Sequence, residues 1–459
     1  MKKVKWISLI MAVILMTGLF GACSSDSETS SQQAASQSGS SGSGGSAPAG
    51  GGSDATLTFM GWGSPQEEET FNAMLAQYKD MYGVDVTYIN VPPDDFPTKL
   101  QTMIASNQTP DVFYLQPERV MPYAKNGILY DMTDYVANNQ IFDQDNVWTK
   151  ALDMYRYDGK MPGVGSIYGL PKDIGPFALA YNRDLFREAG IPDPDTAWTW
   201  DEFIVNAGKL TKGSGNDKVY GSAPYSLESA LWSHGADFLD ASKTQVTVDD
   251  PVFIEAVQWM ADLALVHGVV PTSDEDEAYS SFQRWMDGKI GMIGIGPWSQ
   301  GQFWADLEFD WDLMPWPVSP RTGNNSIWYG GMGFAVANSS SYIKEACDLA
   351  AFLAFNEDAQ RTSMQMGQSI PNLIDMAKNE YLQMDKKPAN KQEFLNIVEN
   401  PNYGRRATQT FTYNSEWFGE FVGNVAAVWR GEQTAEDFCK AIKAPMQALL
   451  DKGIEEQNR

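Results

Sequence analysis

The stretch Thr56-Leu57-Thr58-Phe59-Met60-Gly61-Trp62-Gly63-Ser64-Pro65 decides how this chain of 459 residues is read. Its first half has the threonine and aromatic content of a strand, and its glycines and proline mark the turn that ends it. From Glu67 to Tyr82, residues Phe71, Met74, Leu75 and Tyr78 recur at helical spacing, with acids in the first turn, where the helix dipole favours them. Val84 to Val91 then predicts a second strand, Phe96 to Ser106 a second helix and Asp111 to Leu115 a third strand. This alternation predicts a largely parallel sheet covered by helices, an α/β fold.

Further on, strands are expected over Pro176 to Asn182, Val219 to Ala223 and Ile290 to Ile295. Helices are expected over Arg183 to Ala189, Trp200 to Leu210, Pro251 to His267 and Ala278 to Asp287. The C-terminal part reads as mainly helical, with Ser415 to Arg430 and Thr434 to Asp451, the latter kinked at Pro445. The acidic runs Glu67 to Glu69 and Asp274 to Glu277 read as solvated helix caps, the second preceding its helix. Neither is a catalytic pair.

Upstream the text is different in kind. Lys2, Lys3 and Lys5 form a basic n-region, Trp6 to Phe20 an apolar run too short to span a membrane, and Gly21-Ala22 a small-residue cleavage site. Cys23 then becomes the mature N-terminus. This arrangement resembles the lipobox of bacterial lipoproteins, with Phe20 where leucine is usual; it implies lipidation of Cys23 and anchoring on the outer face of the cell membrane. Ser24 to Asp54 is almost entirely Ser, Gly, Gln and Ala and is expected to act as a flexible linker.

Without the signal, more than 400 residues remain, too many for a single core, so two lobes are expected. The net charge of −26 becomes −29 when Lys2, Lys3 and Lys5 are removed. Such a field opposes nucleic acid and anionic lipid as partners. Two histidines, His234 and His267, without clustered cysteines, give no material for a metal centre. Cys347 and Cys439 are expected to be buried thiols, and no cofactor is implied.

Four passages carry a further resemblance. They are Tyr168-Gly-Leu-Pro171 with Phe177-Ala-Leu-Ala-Tyr-Asn182-Arg-Asp-Leu-Phe186; Asp287-Gly-Lys-Ile-Gly-Met-Ile-Gly-Ile-Gly-Pro-Trp298; Trp328-Tyr-Gly-Gly-Met-Gly-Phe-Ala-Val336; and Gly431-Glu-Gln-Thr-Ala-Glu-Asp437. From about residue 55 onward the chain resembles the carbohydrate-binding, maltodextrin-type solute-binding proteins of bacterial ABC importers (family 1). The resemblance implies a type II periplasmic-binding-protein-like clamp: two lobes of mixed sheets and helices, hinged, with ligand in the cleft. It places three crossings near Lys172 to Leu179, near Tyr329 to Val336 and after Met366. The expected division is signal peptide 1–22, lipidated cysteine and linker 23–54, first lobe 55–174 and 331–370, second lobe 175–330 and 371–459.

A sugar presents an apolar C–H face and a rim of hydroxyls, so its site needs flat aromatic walls and charged or amide acceptors. Ligands of open α/β sheets sit beyond the carboxyl ends of strands. That rule selects Trp62, Gln116, Glu118 and Trp298 as ligand-binding candidates. Asp173 at the presumed hinge and Trp328, Tyr329 and Gly330 at the second crossing join them. Trp232, Arg405 and Trp417 are expected from the second lobe, Arg405 either on a ligand carboxylate or balancing neighbouring acids.

The resulting expectation is a monomeric, lipid-anchored extracytoplasmic receptor that hands a mono- or oligosaccharide to the transmembrane subunits of an ABC permease. It is not an enzyme on this reading. A cell-surface glycoside hydrolase, or a surface carbohydrate-binding lipoprotein without a transport role, is the alternative; the chain carries no GxSxG, HExxH or P-loop.

Overall fold

Ser64 accepts a hydrogen bond from the Glu67 amide (3.2 Å) and Pro65 takes the first helical position, so the helix Pro65–Tyr82 starts directly after the first strand. Gly83, at φ 70°, ends it in the left-handed region that favours glycine. The structure is a computed structural model and describes residues 55–139 and 141–459, excepting the side chains of Gln144 and Asn216. The signal segment, Cys23 and the Ser/Gly linker lie outside the described residues.

In chain order the strands are β1 (Thr56–Gly61), β2 (Asp85–Asn90), β3 (Val112–Leu115), β4 (Arg156–Tyr157), β5 (Ser166–Ile167), β6 (Leu170–Pro171), β7 (Gly175–Pro176), β8 (Ala178–Asn182), β9 (Met292–Ile295), β10 (Trp311–Met314), β11 (Ile327–Gly330), β12 (Gly333–Val336) and β13 (Gly404–Arg406). The first sheet has the order β2-β1-β3-β12-β6, with β1 parallel to β2 and β3 and with β12 antiparallel to β3 and β6. The second, β10-β8-β9, is antiparallel throughout. A small third sheet, β13-β11-β7, is built from the chain passages near the junction of these two, and β4 pairs with β5 as a hairpin. The chain leaves the first sheet at Pro171, supplies β7 and enters the second sheet at Ala178. It returns through β11 and rejoins the first sheet at Gly333.

Aromatic packing holds the core at two places, the first of them the sheet that contains β1. In the first, Phe59 lies 5.3 Å from Phe71 and 5.7 Å from both Tyr114 and Phe334, ring centre to ring centre. Burying such rings stabilises the fold by about 1.5–3 kcal/mol each. Near the C-terminal helices Phe238 packs edge-on against Phe253 and Phe421, both at 5.2 Å. Cys347 and Cys439 are buried free thiols, as expected, and burial pushes both up to about 12. Among the described residues no helix is long and apolar enough to cross a membrane.

Several elements differ from their expected form. The strand expected over Pro176 to Asn182 is divided at Phe177 between two sheets, because this is where the chain crosses. Val219 to Ala223 forms single bridges rather than a strand; the Gly221 amide donates to Thr211 Oγ1 (2.9 Å) instead of to a ladder. Ala278 to Asp287 becomes two helices, Ser273–Ala278 and Ser281–Met286, since Ser280 caps the second. Asp274 to Glu277 therefore lies inside a helix, one that begins with a reciprocal Thr272–Glu275 capping box. Ser415 to Arg430 breaks at Val425, and Ala435–Asn458 continues as one helix through Pro445.

Candidate functional site

The first crossing passage begins with a buried charge network. Lys172 Nζ lies 3.1 Å from Glu67 Oε1 and 2.8 Å from Asp173 Oδ2, and the Tyr114 hydroxyl donates to Glu67 Oε1 at 3.0 Å. Burial pulls the Lys172 ammonium down, but Asp173 and Glu67 more than offset it and hold the group above the ordinary lysine value. Burial also pushes the Tyr114 phenol up, with the Glu67 charge adding to it. Asp173 Oδ1 accepts from the Met332 amide (3.2 Å), which ties the outgoing passage to the returning one. The two run so close that a Cβ on Gly331 would sit 2.5 Å from the Asp173 carbonyl oxygen. Trp62, half-buried at the end of β1, stands edge-on against Tyr114 (5.1 Å, 81°) and Phe96 (4.7 Å, 70°).

A few residues further, the crossing passages carry an aromatic ladder. Trp298, 38% exposed, stacks on Trp328 (6.4 Å, 20°), Trp328 on Phe177 (4.7 Å, 15°) and Phe177 on Trp316 (6.1 Å, 22°). The innermost ring is fixed, because the Trp316 indole donates to the Phe177 carbonyl at 2.8 Å. At the outer end Gly175 makes room: a Cβ there would lie 2.8 Å from the Trp298 ring. The ladder thus runs from a core tryptophan out to a solvent-facing one, beside the Asp173–Lys172–Glu67 network. A flat apolar face open to solvent is what the C–H face of a sugar ring requires.

Residues 62–360 match the profile of the family described as bacterial extracellular solute-binding protein. This chain belongs to that family. Among similar relatives, an arabinooligosaccharide-binding protein of Halalkalibacterium halodurans is 26% identical over 204 residues, covering 42% of this chain and 45% of that one. The chain thus spans less than half the length of that relative. A melibiose/raffinose/stachyose-binding protein of Bacillus subtilis is 23% identical, covering 68% of this chain and 72% of the relative. A solved ABC substrate-binding protein of Listeria monocytogenes, in complex with cycloalternan, superimposes with a TM-score of 0.77 at 22% identity, covering 86% of this chain and 99% of the other. Maltose-bound MalE3 of T. maritima gives 0.69 at 22% identity, covering 86% and 100%. The fold is accordingly the two-lobed type II clamp.

Within this solute-binding protein the other expected contacts distribute unevenly. Gln116 and Glu118 follow β3 and are half-buried, and burial pushes the Glu118 carboxyl up from its ordinary value. Gly330 pairs with Gly175 between β11 and β7. Tyr329 lies on the opposite face of β11 from Trp328, as strand alternation requires, with Lys150 Nζ 5.5 Å above its ring. Trp417 is a correction: at 0% exposure it is a core residue, donating to Thr412 Oγ1 (3.1 Å), with Phe421 on the same buried helix face. Trp232 is likewise buried, with the Arg405 guanidinium 4.6 Å from its ring. Arg405 balances an acid, pairing with Asp237 at 2.7 Å.

Glu67 was expected as a solvated cap and is instead buried, 8% exposed, in the charge network. The local signal was Lys172-Asp173 standing between Pro171 and Ile174, a charged pair inside an apolar run. Phe177 and Trp316 escaped notice because nothing in a linear text distinguishes a ladder rung from a core ring.

Proposed function

We propose that this chain is the extracytoplasmic receptor of an ABC importer that holds a saccharide between the Trp298–Trp328–Phe177 ladder and the carboxylates around the first crossing. The observation that carries the reading is the ladder itself, an exposed indole stacked on a half-buried one. The saccharide-binding names of relatives support it. Both lobes contact the ligand only when closed, so the ligand shifts an open-to-closed equilibrium by its differential affinity. The closed form then docks on the transmembrane subunits. Micromolar binding corresponds to about −8 kcal/mol, within reach of two aromatic walls and several charge-assisted hydrogen bonds.

On this reading the ligand leaves unaltered, the chain acts as a monomer, and Cys23 carries the lipid that keeps it at the cell surface. The division into lobes at 174, 330 and 370 belongs to the same proposal. Calorimetric titration of the folded chain against a panel of malto-, arabino- and galacto-oligosaccharides, with chromatography of the mixtures afterwards, tests it. Saturable one-to-one binding with the sugar recovered intact supports the receptor; accumulating cleavage products would establish a hydrolase instead.

A further inference from the structure

On the face of β11 turned away from the ladder lies a cavity of about 520 Å³ with an unusual lining for so acidic a protein. Tyr329 and Arg406 are register partners in the parallel β11–β13 pair, and both face it. Lys150, Lys243 and Arg405 complete a set of four cations. Arg405 is neutralised by Asp237. Among the described residues the other three form no ion pair; carbonyls and aromatic faces hold them instead. Lys150 Nζ is bound by the Val398 carbonyl (2.9 Å) and lies over Tyr329. The Phe411 ring lies 4.0 Å from the Arg406 guanidinium and 5.6 Å from Lys243 Nζ.

Arg406 shows what is missing. Its Nε is buried without a hydrogen-bond partner, and its Nη1 reaches only the main-chain carbonyl of Asp153, at 3.3 Å. The Asp153 carboxylate on the cavity wall is engaged by Arg156 at 3.3 Å. Burial pulls Lys150, Lys243 and Arg406 each below its ordinary value, the response of cations whose charge is not fully compensated. Long-range repulsion from the net negative charge disfavours anions near this chain, so a cluster of cations compensated only in part, by Asp153 near Arg406 and by Asp237 and Asp240 near Lys243, is a local exception to the field.

We propose that this cavity is a second binding site, separate from the aromatic ladder, for a small oxyanion: a phosphate, or the phosphate or carboxylate group of an acidic solute. Arg406 donates to it through the terminal nitrogens of its guanidinium, with Lys150 and Lys243 as flanking charges. The test is calorimetric titration of the full chain at constant ionic strength with inorganic phosphate, glucose 6-phosphate, galacturonate and neutral glucose, with chloride as the balancing salt. Saturable one-to-one binding of phosphate, weakened at least tenfold in both Arg406→Gln and Lys243→Gln, is expected. Lys243→Gln is included because, among the described residues, no hydrogen bond depends on that ammonium group, so it keeps the test decisive if Arg406→Gln does not fold. Tighter binding of glucose 6-phosphate or galacturonate than of phosphate identifies an acidic solute as the occupant; equal or weaker binding identifies the free anion. No saturable binding of any anion, or binding unchanged in the folded variants, would overturn the proposal.

Discussion

The two sides of the crossing passages are built on opposite principles. On the side of the first sheet, Glu67, Lys172 and Asp173 are charged and buried, and each holds the others in place. On the ladder side, Trp298 and Trp328 are apolar and partly open, and only the inner ring, Trp316, is locked by a hydrogen bond. The contrast shows how a clamp separates its duties. A buried ion network tolerates little change because removing one partner leaves the others desolvated. An exposed aromatic stack contributes little to folding and remains available to a ligand face.

The sharpest way to break this contrast is to remove the cation. Lys172→Ala leaves Glu67 and Asp173 without their counter-charge and is expected to destabilise the fold by about 3–5 kcal/mol, read by urea unfolding. A loss under 1 kcal/mol would mean that the network is not holding the junction. Trp417→Ala is expected to cost about as much, roughly 3–5 kcal/mol, by opening a core cavity. Sugar affinity of the folded fraction should not change, and a changed Kd would return Trp417 to the site.

Gly175→Ala probes the ladder from below. The added methyl meets the Trp298 ring, so a cost of about 1–3 kcal/mol is expected together with weaker saccharide binding. Unaltered binding would show that the position of Trp298 is immaterial. The smallest effect concerns Glu118. Burial raises its carboxyl above the ordinary 4.5, so the folded chain keeps this proton to higher pH than the unfolded chain does. The stability it contributes is fully present below about pH 4.5 and is lost as pH rises through the raised value. Glu118→Gln should therefore melt slightly higher than the parent at pH 7, converge with it below pH 4.5 and bind saccharide less tightly. A melting difference independent of pH would remove the burial argument.

Much of this was legible in the sequence where local rules govern. The opening β-α-β-α-β run and the placing of Trp62 and Trp298 beyond strand ends follow from periodicity, turn chemistry and the position of glycines. The crossings were named by resemblance rather than by periodicity, and the divided strand at Phe177 shows why: hydrophobic alternation does not reveal that consecutive residues belong to different sheets. The burial of Glu67 and Trp417 depends on partners more than 100 residues away in sequence in one case and on a helix face in the other. An acidic first turn looks the same whether it meets water or a lysine from a distant hinge. The sequence left Arg405 open between a ligand carboxylate and neighbouring acids, and only the fold separates it, already paired, from Arg406, whose Nε has no partner.

The central claim is that the Trp298 end of the ladder grips a sugar. Titrating the parent chain and Trp298→Ala side by side with the oligosaccharide panel, by calorimetry, tests it most directly. The account predicts saturable binding by the parent and a Kd about thirtyfold weaker in the variant, near 2 kcal/mol, with an unchanged melting temperature in the absence of sugar. Equal affinities in the two proteins, or no saccharide bound by the parent, would contradict it.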